Sequence, residues 1–547
     1  MKGKVKMKKR IISIITAMAV AAPLLSTISV AAIVSEELTM QHATGAILPE
    51  NYLQADVNNV SLQSTSETDI ADLPSSFDIT TNVATSKYFP PIGDQGMINS
   101  CTAWASTYYQ FTYEVNKFKG VETNASNIYS PAWTYSFTNG GGNNGVDIDA
   151  AYRVLTRQGA LKLVDYPYDA TNYNYNWCTD VEKMTEALEY RVERTSEKVY
   201  SSDDIDIIKA RLANGEVATA YTSTSGWIVK DTSNGEKIIV QCNELNGGHL
   251  ITIVGYDDNI EVTLDSGVTL VGAFKIANSW GSDWGNDGYI WVAYDALNPV
   301  SQYGDSLGLD QTSRDVVFGA WDENTFYFVN VKKYDVCFVG VLNFTSYAPW
   351  NLTVKSKAGS DRIDSIWSYT AGSPVQYSAS RCLVFDYCSF VNGEYDIDDY
   401  LACDWLVNIT SNSNYATNQI NTQILDNLGN YIAPQNNVYG ALEDGEYTYT
   451  TSINLAKGRV TAYDNATITQ ADIDLIADYI MGDVEFSTLQ KQLADYNDDG
   501  RVNAMDLTLM SRYIATLNGS QQYTNYSMLA DGTIAATAAV NVINEAA

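Results

Sequence analysis

Hydrophobic positions divide the chain into a helical first part, a long strand-rich middle and a short helical end. From Ser100–Cys101 onward, apolar or aromatic residues fall at Cys101, Trp104, Ala105, Tyr108, Phe111 and Val115, the spacing of a helix with one buried face. A second helical stretch is predicted near Val181 to Val192. The period then becomes two: the run after the glycine pair in NGGHLITIVGYDD and the segment Ala273 to Ala277 read as buried strands, and alternation continues at Asn324 to Val331, Tyr334 to Phe344 and Tyr447 to Ile453. Near the end the pattern repeats with a 34-residue shift. Asp472-x-x-Leu475-Ile476-x-x-Tyr479-Ile480 matches Asp506-x-x-Leu509-Met510-x-x-Tyr513-Ile514, which predicts two equivalent helices. Residues 519–547 are small and uncharged for the most part and are expected to form a flexible tail.

The first 32 residues carry a different signal. Six basic residues (Lys2, Lys4, Lys6, Lys8, Lys9 and Arg10) precede an apolar stretch from Ile11 to Val20 and small residues around Ala31 and Ala32. That is the layout of a cleaved export signal. No other segment is apolar over the ~20 residues a bilayer requires. A formal charge of −32, from 65 acidic against 33 basic residues, argues against nucleic acid as a partner because phosphates would be repelled. The sequence therefore predicts an exported, extracellular protein with no membrane span in its mature form. Six of the seven cysteines, Cys178, Cys242, Cys337, Cys382, Cys388 and Cys403, permit three bridges or none, in pairings the sequence leaves open.

The seventh, Cys101, falls in the first turn of its predicted helix, where unpaired N–H groups and the helix dipole favour a thiolate. Gln95 lies six residues upstream in a glycine-containing loop. Its amide and the Cys101 N–H are candidate donors to an oxyanion. Only two histidines exist, and His42 follows the export signal, so His249 is the remaining candidate base. The strand after it delivers Asn278, whose carbonyl is suited to hold an imidazole in one tautomer. Taken singly, a cysteine on an apolar helical face or a histidine beside a strand is usually core. Four such residues in one order, within three motifs, point to chemistry instead.

That order, Gln, Cys, His, Asn, within QGMINSC, GGHLITIVGY and NSWGSDWGNDGY, resembles the papain family of cysteine peptidases. The resemblance implies Cys101 as nucleophile, His249 as general acid/base, Asn278 as orienter, Gln95 as oxyanion donor and Trp280 as a cover over the His249–Asn278 hydrogen bond. It also implies a two-lobed α+β fold with a peptide-binding cleft and no catalytic cofactor. LPSSFD at Leu73 resembles a mature-domain start, NNGVDIDAAY the glycine loop of the cleft, and Tyr166-Pro167-Tyr168 a family turn. Ile98, Asn99 and Thr102 depart from the family's usual CGSCW. Residues 33–72 are too few for a long helical inhibitory propeptide, so control of activity is expected to differ or be absent.

In front of the second C-terminal helix stands DYNDDGRVNAMD, with oxygen ligands at Asp495, Asn497, Asp499, Asn503 and Asp506, a backbone carbonyl at Arg501 and a turn at Gly500. This is an EF-hand-type calcium loop. Its loop-helix frame and aspartate at position 12 resemble a dockerin, which implies structural Ca2+ and a cohesin module of a scaffold protein, as in cellulosomes, as partner. The first copy is degenerate: Thr461, Tyr463, Asn465, Ala466 and Thr469 stand at its positions 1, 3, 5, 6 and 9. One good site and one weak or empty one are expected. For the middle region the aromatics Trp350 and Trp367 offer stacking faces for carbohydrate, as in a lectin-like domain, or pack inward as core.

The expected organisation is a signal peptide (1–32), a short pro or linker segment (33–72), a papain-like peptidase (73–305), a β-sandwich (310–455), a small all-α dockerin (458–518) and the tail. The expected function is that of a secreted cysteine endopeptidase attached to a scaffold. Its alternative is an inactive papain-like module that binds or inhibits peptides on the same scaffold.

Overall fold

The computed structural model describes residues 43–48, 73–139, 142–173, 178–199, 205–224, 226–242, 247–297, 324–346, 350–358, 362–370, 379–386, 402–411, 419–439, 445–520 and 522–541. The expected signal peptide lies outside the described residues, as do Cys388 and the side chains of Cys403, Trp350 and Trp367. Among the described residues no helix is long and apolar enough to cross a membrane, and Cys178, Cys337 and Cys382 carry free thiols.

The first long helix runs from Cys101 to Lys119 in three parts. Cys101–Ala103 is α-helical, Trp104–Phe111 winds as a π-helix, and Thr112–Lys119 returns to α. The one-faced reading needs correction here, because every residue from Cys101 to Asn116 is buried. Cys101, Ala105, Phe111 and Val115 enter one core, while Trp104, Tyr108, Tyr109 and Tyr113 enter another. The helix is thus clasped between two lobes, and a polar face is not needed. Val181–Ala187 is helical, but Tyr190–Val199 is a strand. The predicted helix to Val192 therefore ends early, where the β-branched alternation of the strand takes over.

We number the strands in chain order: β1 Ala46–Ile47, β2 Ser76–Asp78, β3 Val146–Asp147, β4 Tyr190–Val199, β5 Ala218–Ser223, β6 Trp227–Asp231, β7 Lys237–Cys242, β8 Gly248–Thr263, β9 Thr269–Ala277, β10 Tyr289–Ala293 and β11 Asn324–Lys333. One sheet has the order β4-β11-β5-β8-β9-β10-β7-β6, with β2 added along β8. Strand β11 was expected to open the β-sandwich. Instead it lies between β4 and β5, pairing Phe326 with Ala220 and Tyr327 with Thr219. Gln110 ties it to the long helix by donating Nε2–H to Tyr327 O at 2.9 Å. Alternation identifies a strand but not the sheet it joins.

The middle region forms two four-stranded antiparallel sheets. Phe338–Ser346, Ala379–Asp386, Gln419–Asp426 and Tyr431–Tyr439 make one; Trp350–Ala358, Arg362–Thr370, Ala402–Ser411 and Gly445–Asn454 make the other. The first sheet meets strand β4 of the large sheet through a buried ion pair, Arg191 Nη2 to Asp386 Oδ2 at 2.6 Å, with the guanidinium lying 3.6 Å over the Tyr334 ring. At the C-terminal end, helices Gln470–Met481 and Ala504–Leu517 are the predicted pair. A short helix, Thr488–Ala494, precedes the second loop, so the loop-helix frame there has two turns of helix in front. The expected flexible tail is instead a hairpin of Gln522–Met528 and Ile534–Asn541. It is tied to the last helix by Tyr526 N–H donating to Thr508 Oγ1 and Thr524 N–H to Ser511 Oγ. Gln470 Nε2 of the helix Gln470–Met481 also reaches Tyr526 OH at 3.5 Å.

Candidate active site

The two lobes bring His249, Asn278 and Gln95 together and set Cys101 against the backbone of Leu250, the residue after His249. Cys101 starts the long helix behind Ser100. His249 is the second residue of β8, and the pairing of Thr252 with Ala277 across β8 and β9 places Asn278, just past β9, beside it. The result is a 2.8 Å contact between His249 Nε2 and Asn278 Oδ1. An amide oxygen only accepts, so Nε2 carries the proton and donates. Asn278 is itself held: its N–H donates to Gly288 O, its carbonyl accepts from Tyr109 OH at 2.8 Å, and its Oδ1 accepts a second bond from Ser279 N–H. The indole of Trp280 lies over the imidazole, with ring centroids 4.8 Å apart, and is 2% exposed. This is the cover the sequence predicted.

Gln95 is fully buried and fixed at both ends of its amide. Ser279 Oγ donates to Oε1 at 2.6 Å, and Nε2 donates to Ile98 O at 2.8 Å. Nε2 also donates, at 2.8 Å, to Ala43 O, a carbonyl that receives a second bond from Trp280 Nε1 at 3.3 Å. Tyr168 OH donates to Gln95 O and pairs with Ser100 Oγ. Ser279, Tyr109 and Tyr168 thus position the site. The sequence reading gave none of them that role, although Ser279 adjoins Asn278 and Tyr168 closes the YPY turn.

The cleft holds the chain's own residues 43–48. Ala43 O sits at the Gln95 amide, Gly45 N–H donates to Gly248 O at 2.8 Å, Val146 N–H donates to Gly45 O at 2.6 Å, and β1 then runs parallel to β3. Three glycines make room. Gly45 adopts φ +135°, which L side chains rarely adopt, and a Cβ there would lie 2.6 Å from Asn99 O. A Cβ on Gly145 would lie 2.4 Å from Gly45 O, and one on Gly248 2.3 Å from Ala46 O. Residues 33–72 are too few for a long helical propeptide, and the described residues among them, 43–48, occupy the cleft through backbone instead.

Beneath the strap Cys101 is fully buried, and burial pushes its thiol up to about 11, against weaker help from groups at Leu250, Thr102 and Ala46. The thiolate expected from the helix start is therefore not favoured in this closed form, since desolvation outweighs the helix end.

The C-terminal loop has the predicted turn, with Gly500 at φ +79°. Asp495 accepts from the N–H groups of Asp499 and Gly500, Asp499 from Arg501 N–H, and Asn503 Nδ2 reaches Arg501 O at 3.4 Å. Asp506 is fully buried and accepts from Tyr496, Asn497 and Asn503 N–H groups. Among the described residues no three His, Cys, Asp or Glu side chains form a metal cluster; the donors here are a mixture of carboxylate, amide and carbonyl oxygens. Burial pushes the Asp506 carboxyl up, with Asp495 adding to it, and no lysine or arginine among the described residues pairs with it. A hard cation fits that set.

Two parts of the chain match known families. Residues 73–303 match the family model of papain family cysteine proteases, and residues 458–515 and 493–545 match that of the dockerin type I domain. A protein named cathepsin B-like CP3 from Giardia intestinalis is 27% identical over 260 residues, which is 47% of this chain and 80% of that protein. A cysteine protease of Blomia tropicalis is 26% identical over 263 residues, 47% of this chain and 71% of that protein. Among solved structures, xylellain, a cysteine protease from Xylella fastidiosa, aligns with a TM-score of 0.36 at 22% identity, covering 53% of this chain and 96% of that one.

Proposed function

We propose that this protein, whose residues 73–303 form a papain-family cysteine protease domain and whose C-terminal part is a type I dockerin, is an exported endopeptidase held on an extracellular scaffold. The reading rests above all on the carbonyl of Ala43, which already occupies the position at the Gln95 amide that a scissile carbonyl would take. In the open enzyme His249 Nδ1 takes the Cys101 proton while Asn278 Oδ1 holds the Nε2–H, and the thiolate attacks the substrate carbonyl carbon. Gln95 Nε2 and the Cys101 N–H hold the resulting oxyanion. The imidazolium then gives its proton to the leaving amine, and water hydrolyses the thioester with His249 as base.

The strap supports a closed precursor. It offers backbone to the same hydrogen-bonding edges as a substrate, yet it buries Cys101 in its neutral form. Removal of residues 43–48 from the cleft is then the activating step.

For attachment, Asp495, Asn497, Asp499, Asn503 and Asp506, with the Arg501 carbonyl, would hold Ca2+, which would supply a positive charge beside the buried Asp506 carboxylate. A cohesin module is the partner a dockerin implies. The mature protein treated with a peptidyl epoxysuccinyl inhibitor should gain one adduct by intact mass, and Cys101→Ala should gain none. No adduct on protein freed of the strap, under reducing conditions, would favour an inactive peptide-binding module.

A further inference from the structure

The second loop asks for an external cation; the first does not. In the first repeat Asp472, the counterpart of Asp506, is also fully buried. Its Oδ1 accepts from Val460 N–H at 3.1 Å, Thr461 N–H at 2.9 Å and Thr461 Oγ1 at 2.7 Å, and its Oδ2 accepts from Thr469 N–H and Oγ1, both at 2.9 Å. Unlike Asp506, it also has a guanidinium. Arg459 Nη1 lies 3.2 and 3.1 Å from the two carboxylate oxygens and donates to Thr461 Oγ1, while Nε donates to Asp464 Oδ1 at 2.9 Å. Arg459 therefore bridges the residues at loop positions 1, 4 and 12, and the side chain is only 15% exposed. Loop position 3, an oxygen ligand in the second repeat, is Tyr463. Its hydroxyl bonds to Asp426 of the neighbouring sheet and lies 2.9 Å from Ser487 Oγ. Thr488 N–H, in the helix between the repeats, donates to Asn427 Oδ1 at 2.7 Å, and Cys337 Sγ lies 3.2 Å from Gln492 Oε1.

We infer that the first repeat is a metal-free clasp: Arg459 supplies in covalent form the cation that the loop has lost, and Tyr463 fixes the module to the β-sheet domain. The residues present do not fit calcium, because a phenol and two threonine hydroxyls stand at three of the ligand positions and a guanidinium stands against the position-12 carboxylate. A fixed guanidinium and an exchangeable ion do the same electrostatic work, but only the ion can be removed by a chelator. The module should consequently lose order in one half at a time. This inference rests on the dockerin reading for its second half only.

The test is hydrogen exchange on the full-length protein, read peptide by peptide, with calcium and with a chelator, beside a calorimetric calcium titration. Chelation should speed exchange in 495–517 by about ten-fold or more and leave 459–481 unchanged, and the titration should count one tight ion. Arg459→Gln should speed exchange in 459–481 by about ten-fold whether calcium is present or not. Loss of protection in both halves on chelation, two tight ions, or an Arg459→Gln variant with unchanged exchange in 459–481 would overturn the proposal. If the protein binds no calcium at all, the second-loop reading fails, and the Arg459→Gln exchange alone decides the clasp.

Discussion

Two sites in this molecule are filled by the chain itself, and they are filled in different ways. In the cleft, a short strap of small residues lies over Cys101 and is held by backbone hydrogen bonds. In the first C-terminal repeat, a guanidinium lies against Asp472 from within its own loop. Burial has opposite electrostatic outcomes in the two. With no cation at hand, it drives the Cys101 thiol up to about 11. At Asp472 burial also pushes upward, but the hydroxyl and N–H groups of Thr461 and Thr469 prevail and the carboxyl drops to about 2. A plug that leaves its site uncharged and mismatched can be withdrawn to release function. One that completes the charge and the hydrogen bonds becomes part of the fold.

The contrast can be broken most severely at the cleft. If working machinery lies under the strap, Gln95→Ala in the processed protein should lower kcat by about a hundred-fold, with little change in inhibitor labelling of Cys101 at saturation. Equal loss of labelling would mean that Gln95 only supports the loop. At the clasp, Asp472→Asn should cost about 2 kcal/mol in stability, because charged hydrogen bonds to a buried carboxylate are lost; denaturant unfolding measures it. The sign with pH follows from the depressed pKa. The stabilisation is complete above the ordinary carboxylate range and is lost as pH falls through about 2, so an acid titration of the wild type should show the first C-terminal repeat outlasting the usual carboxylate range. The smallest effect is expected at the strap. Gly45→Val, which places a branched side chain at φ +135° against Asn99, should speed alkylation of Cys101 in the unprocessed protein by about ten-fold at neutral pH. In the wild type, alkylation should climb as pH rises toward about 11; in the variant it should level off earlier.

Much of the site was legible because its chemistry is carried by rare residues in fixed neighbourhoods. One usable histidine, a cysteine behind QG and an asparagine before SWG leave few alternatives, and the structure brings His249, Asn278 and Gln95 into one constellation around Trp280 and Ser279. What escaped was made of common residues. Gly45 and Ala46 bind through backbone, which has no sequence signature, so the sequence marks the strap only as part of a short pro or linker segment. Arg459 precedes position 1 of its loop and was never aligned with a ligand, since a side chain substituting for an ion need not occupy a ligand position. The all-round burial of the Cys101 helix was hidden because Thr102, Ser106, Thr107 and Gln110 look like a solvent face, yet they bond within the core. The hairpin at 522–541 is rich in alanine and threonine, which mark no buried face in the sequence without the helix it covers.

Strand β11 bears on how this protein could have been assembled and how it can be taken apart. The family match ends at residue 303, but the sheet it describes takes Asn324–Lys333 into its interior, between β4 and β5. The protease is consequently not a cassette that can be cut at its homology border. A chain stopped at residue 303 would leave two facing strand edges with no ladder between them, and should be recovered as aggregate, whereas one extended past Lys333 should stay monomeric in gel filtration. Any exchange of this domain would have to carry the strand along, so its structural unit is larger than its unit of resemblance.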